Sequence, residues 1–156
     1  MREGSPAGML GSCRPIAALL SLAVVAVVMP AISAHAKSCA AEISAYRRAH
    51  GLSAVRADAR LEGLARRQAE AMARNGEVSH TVAGDFRTRV SSAHPRLAGE
   101  NLAAGFLTCS EAIRQWDNSA GHRENLQMVG ARRVGVAAVS RPSSPYRKFW
   151  AMIITD

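Results

Sequence analysis

Arg133-Val134-Gly135-Val136-Ala137-Ala138-Val139, then Ser140-Arg141-Pro142-Ser143-Ser144-Pro145, then Tyr146-Arg147-Lys148-Phe149-Trp150-Ala151-Met152-Ile153-Ile154-Thr155: these closing residues decide the fold. The outer segments are mostly apolar and rich in β-branched or aromatic residues, which suits strands. The middle one has turn composition, so the three read as a hairpin. Both faces of each strand are largely apolar. A sheet of such strands must be covered by helices on both sides.

Upstream the period is helical. Ser38 is placed to cap a first helix that runs to His50 and stops at Gly51. Its expected buried stripe is Cys39, Ile43, Tyr46 and His50. A short extended piece follows, Leu52 to Ala57. Asp58 caps a second helix that ends at Asn75-Gly76. Leu61, Leu64, Ala65, Ala69 and Met72 form its core-facing stripe, and Glu62–Arg66, Arg66–Glu70 and Glu70–Arg74 are opposite-charge pairs one turn apart. Asp85 to Ala93 suits a short third helix closed by His94-Pro95, and a strand is expected near Glu100. Thr108 and Glu111 make a capping box that opens a fourth helix. Strands and helices do not alternate regularly. The fold class is therefore α+β, a three-layer α-β-α sandwich, and not a doubly wound sheet.

The first 36 residues stand apart. Arg2 and Arg14 make a basic start, Ile16 to Val28 is an uncharged apolar run, and Ala34-His35-Ala36 offers a cleavage site. That is the pattern of a secretory signal peptide. A retained anchor is the competing reading, but 13 apolar residues fall short of the roughly 20 that cross a bilayer. Ala36-Lys37-Ser38 before Cys39 is a poor lipoprotein signal. The expected organisation is a signal peptide over 1–36 and one domain over 37–156, secreted or periplasmic.

Two cysteines remain after cleavage, Cys39 and Cys109, both at helix starts. In an oxidising compartment they read as a disulfide, with two buried thiols as the alternative. The bridge would close a loop of about 70 residues and contribute roughly 4 kcal/mol in the chain-entropy model.

The chain of 156 residues carries 20 Lys+Arg against 12 Asp+Glu, net +8. Without Arg2, Arg14 and Glu3 the mature part has 18 basic and 11 acidic residues, net +7. Much of the arginine is spread along helix surfaces and aromatic residues are 4%, which argues against specific nucleic-acid binding. A diffuse positive field still favours an anionic envelope surface. There is no G-x-S-x-G, S-x-x-K, P-loop or H-E-x-x-H pattern.

Packing leaves His80, Glu100 and His122 unexplained. Glu100 lies between Leu97-Ala98-Gly99 and Asn101-Leu102-Ala103, where a carboxylate is expensive to bury unless something positive or protonated meets it. Two imidazoles and a carboxylate can move protons near neutral pH or hold a divalent metal. Their spacings match no local zinc signature, so the residues alone favour separate cap or surface histidines and a hydrogen-bonded glutamate over a shared site.

Taken in order, the motifs are similar to those of the CAP superfamily (cysteine-rich secretory proteins, antigen 5 and pathogenesis-related 1 proteins), in its shorter bacterial SCP-like branch. Tyr46 to Leu52 resembles the opening helix and its Gly-Leu exit. Asp58, Leu61, Ala65, Ala69 and Met72 match the D-x-x-L-x-x-x-A-x-x-x-A-x-x-M helix. Ser79-His80, Gly99-Glu100-Asn101 and Trp116-x-x-Ser119-x-Gly121-His122-Arg123 resemble the site motifs, while Val134-Gly135-Val136 and Phe149-Trp150 fit the closing strands. The resemblance covers residues 39–156.

That resemblance implies a CAP-type sandwich in which His80, Glu100 and His122 converge on a central cleft. It also implies a metal option, since some members bind zinc or other divalent ions through a His/Glu tetrad. Here Ser119 stands where longer members carry a second glutamate, so His80, Glu100 and His122 would hold Zn²⁺ or another divalent cation weakly. Ser119 joins them as a ligand-binding candidate. The expected function is a secreted module binding a small-molecule, lipid or peptide ligand, without a defined reaction. The alternatives are a metal-assisted, peptidase-like hydrolase and a basic envelope-binding protein.

Overall fold

A computed structural model describes residues 38–156; the expected export segment lies outside the described residues. The chain runs α1 (Cys39–Ala49), β1 (Arg56–Ala57), α2 (Ala59–Asn75), α3 (Phe86–Ser91), β2 (Ala98–Ala104), α4 (Cys109–Asp117), α5 (Ala120–Leu126), β3 (Arg133–Ser140) and β4 (Lys148–Thr155). The strands lie in the order β1-β3-β4-β2. β1 runs parallel to β3, and the β3–β4 and β4–β2 pairs are antiparallel.

The helix ends follow their sequence signals. Ser38 accepts from Ala41 N at 3.3 Å, and Asp58 accepts from Arg60 N and Leu61 N at 2.9 and 3.0 Å. Asp85 accepts from Thr88 N at 2.8 Å, which starts α3. Thr108 and Glu111 close the expected capping box on α4. These side chains take up amide donors that the first helical turn leaves unbonded. α2 ends where Gly76 adopts φ +71°, a left-handed turn that suits glycine.

β4 shows why both faces of the hairpin are apolar. Trp150, Met152 and Ile154 face a layer made of α1, α4 and α5, where they meet Ile43, Ala112, Ile113, Trp116 and Leu126. Phe149, Ala151 and Ile153 point the other way, toward Leu61, Leu64, Ala65, Ala69 and Met72 of α2 and Val90 of α3. This two-residue alternation puts one core on each side of the sheet. The three-layer arrangement is the one the sequence predicts.

Gly135 fixes the spacing of one interface. A Cβ at this position would overlap the backbone of α2 at Leu61 and Glu62 and stand 2.6 Å from Leu61 Cβ. Only a glycine lets α2 lie this close to β3.

Cys39 and Cys109 are bonded, with their Cα atoms 5.6 Å apart, and they join the starts of α1 and α4. On the outer side of β2, Trp116 Nε1 donates to Leu102 O at 3.0 Å and Asn125 Nδ2 to Glu100 O at 3.2 Å.

Two local expectations are corrected. The buried stripe of α1 is rotated: Ile43, Ser44 and Arg47 are buried, and His50 is exposed. Arg47 turns inward because its guanidinium donates to Ser53 O at 2.9 Å and Leu126 O at 2.7 Å. The second correction is α5, a helix of its own that carries His122 and is absent from the helices the sequence reading predicts.

Candidate functional site

Three elements deliver the site. The loop after α2 carries His80, and its path is held by Gln68 of α2, which donates through Nε2 to Ser79 O at 2.7 Å. The edge strand β2 carries Glu100. Its neighbour Gly99 leaves room for Asn125, since a Cβ there would lie 2.6 Å from Asn125 Cγ. α5 carries His122, whose carbonyl accepts from Asn101 Nδ2 at 2.8 Å, while Asn101 Oδ1 accepts from Asn125 Nδ2 at 2.9 Å. Strand and helix are thus pinned together by two asparagines.

Glu100 is the centre. Its side chain is 1% exposed, and His80 Nδ1 meets Oε1 at 2.9 Å. Arg89 of α3 completes the arrangement. Its Nη2 donates to Oε1 and Oε2 at 3.0 and 2.9 Å, and to the carbonyl of His80 at 3.1 Å. Its Nε donates to Gly84 O at 3.0 Å. The arginine side chain is only 10% exposed. The positive partner that a buried Glu100 requires is therefore Arg89, a residue the sequence reading did not single out. The need for a cation was legible, but nothing local marked which arginine supplies it.

This geometry settles the direction of the His80 proton. A carboxylate accepts, so Nδ1 of the ring carries the hydrogen and Nε2 of the neutral ring is the free acceptor. The His80 side chain is 55% exposed, so the ring reaches solvent while its base is held. His122 is more enclosed. Burial, and secondarily the nearby His80, hold its pKa below the ordinary 6.5. Its Nδ1 is buried without a hydrogen-bond partner. Ser119 is the N-cap residue of α5 and makes no side-chain capping bond.

His80 and Glu100 are thus in contact, and His122 is close enough to His80 for their charges to interact. They do not fit a divalent ion. Both oxygens of Glu100 are taken by the Arg89 guanidinium, itself a cation. Among the described residues no three His, Cys, Asp or Glu side chains are grouped to hold a metal. The chemistry available is hydrogen bonding and proton exchange at two imidazoles, backed by an ion pair.

The family model described as the cysteine-rich secretory protein family (CAP) matches residues 40–154. The uncharacterized protein YkwD of Bacillus subtilis is 30% identical over 116 residues, which span 72% of this chain and 45% of that protein. The chain therefore spans less than half the length of this relative. An extracellular protein of Bacillus anthracis containing an SCP domain superposes with TM-score 0.61 at 27% identity, covering 72% of this chain and 37% of that one. An outer surface protein of Borrelia burgdorferi superposes with TM-score 0.66 at 21% identity, over 75% of this chain and 88% of that one.

Proposed function

The chain belongs to the cysteine-rich secretory protein (CAP) family, and from that premise we propose that it is an exported binding module whose polar site takes a ligand through His80 and His122. The observation that carries this reading is the buried Glu100, clamped by Arg89 and bonded to His80 at 2.9 Å. A carboxylate held this firmly fixes the tautomer and orientation of the imidazole in advance, so a guest meets an ordered acceptor. His122 adds a second ring beside it, kept mostly neutral by its burial. A ligand that offers hydroxyl or amide donors, such as a short peptide or a polar small molecule, complements this surface. Export agrees with the Cys39–Cys109 bond, which is at home in an oxidising compartment.

A ligand-observed NMR screen of short peptides and hydroxylated small molecules tests the proposal. Hits should lose their signal when His80→Ala or His122→Ala replaces the native chain. Hits that persist in both variants would place the binding elsewhere.

A second reading has one observation in its favour. A carboxylate-oriented histidine is also how a general base is held, and His80 could take a proton from an attacking water. A fluorogenic peptide panel separates the two. Turnover that disappears in His80→Ala would replace the binding module with a hydrolase.

A further inference from the structure

Arg89 faces two ways. One edge of its guanidinium holds Glu100. The remaining terminal nitrogen, Nη1, is buried with no hydrogen-bond partner. The same side chain lines a separate groove of about 450 Å³ between α2 and α3, with Arg67, Glu70 and Arg74 from α2, Val82 from the loop, and Ser92 from the end of α3. Arg67 and Arg74 are exposed, and among the described residues neither is in an ion pair. The pairing of Glu70 with Arg74 expected along α2 is not formed, while Glu62–Arg66 is, at 2.9 Å.

We infer that this groove is an oxyanion site, built to take a phosphate or phosphate-like group. Three arginine side chains line one small space, with a single carboxylate among them. A planar guanidinium presents paired donors that match phosphate oxygens. The orphaned Nη1 belongs to a side chain nine-tenths buried and already locked by Glu100, so its position is set before any ligand arrives. Arg89 adds a fixed positive charge to the groove lining, and Arg67 and Arg74 would close over an anion from the helix surface. The groove shares Arg89 with the Glu100–His80 arrangement, and neither His80 nor His122 lines it.

The probe is inorganic phosphate, titrated into the purified chain by NMR at ionic strength held constant with chloride. Phosphate should shift the groove amides, and Arg67→Gln/Arg74→Gln should weaken its affinity roughly tenfold, the loss of one or two charge-assisted hydrogen bonds. Arg56→Gln/Arg132→Gln removes the same charge from exposed positions outside the groove and should leave affinity within about twofold, because screened, distant charges contribute little. A control pair that weakens binding as much as the groove pair would overturn the site and leave only a diffuse field. The source of the group is read from vesicles. Retention on phosphatidylglycerol vesicles, lost in Arg67→Gln/Arg74→Gln, assigns a lipid headgroup. Phosphate binding without vesicle retention assigns a free anion. Absence of both rejects the inference.

Discussion

Replacing Arg89 by methionine should cost the fold about 3–5 kcal/mol, the usual loss when one partner of a buried ion pair is removed. The magnitude follows from the geometry. Glu100 is 1% exposed, and Arg89 reaches both its oxygens at 2.9 and 3.0 Å. Opposite charges about 3 Å apart attract by about 5 kcal/mol at an effective dielectric constant near 20. Without the guanidinium, the carboxylate keeps only His80, which is more than half exposed and screened by water. Glu100→Gln should also be costly, since it leaves Arg89 as the buried, unpaired charge. The double variant Arg89→Met/Glu100→Gln should recover much of the loss, because exchanging a whole buried pair for neutral groups is nearly neutral. Urea unfolding at neutral pH, read by the fluorescence of the buried Trp116 and Trp150, measures all four proteins. Additive single effects, or a cost under about 1 kcal/mol for Arg89→Met, would refute the account of how Glu100 is held.

Gly135→Ala should destabilise by about 3 kcal/mol or more, since the new methyl meets helix backbone that cannot step aside. Gly63→Ala, whose Cβ would find only the end of Arg67 at 3.8 Å, should be neutral or stabilising by up to about 1 kcal/mol in the same unfolding assay. Cys39→Ala/Cys109→Ala should lower stability by roughly 4 kcal/mol, and the native chain should show no free thiol at either position under non-reducing mass analysis. Asp156 accepts from the amide of Leu97, from the Arg96 side chain and from the amide of Arg96, which lower its pKa from 3.8 to about 2. The depressed carboxylate contributes stability above pH 3.8 that fades as the pH falls toward 2, because the unfolded chain binds the proton first. Acid titrations of native and Asp156→Asn protein should diverge above that window and converge below it. N-terminal sequencing of exported protein should begin at Lys37.

The sequence exposes the fold where one residue acts on its neighbours. Ser38, Asp58 and Thr108 with Glu111 each bond an amide within three residues, so their roles are written locally. β4 is legible because apolar residues on both of its faces demand two covering layers. α5 was hidden because AGHRENL buries only Leu126, has glycine in its first turn and lacks a side-chain cap. The rotation of α1 was hidden because the partners of Arg47 include Leu126 O, 79 residues away. The site divides in the same way. A buried Glu100 announces that a cation is required, but Arg89 is an ordinary member of an arginine-rich surface until α3 swings it onto β2. His80 and His122 could be suspected as leftovers from packing, yet their proximity depends on Asn101 and Asn125 pinning α5 to the strand.

The outer margin of β2 ends in side chains. Trp116 and Asn125 occupy the carbonyls of Leu102 and Glu100 that an incoming strand would seek, whereas on the opposite margin β1 pairs only Arg133 and Val134 of β3. A β2 margin finished in this way offers little template for a further strand. That protection is supplied by two amino-acid side chains rather than by added sequence.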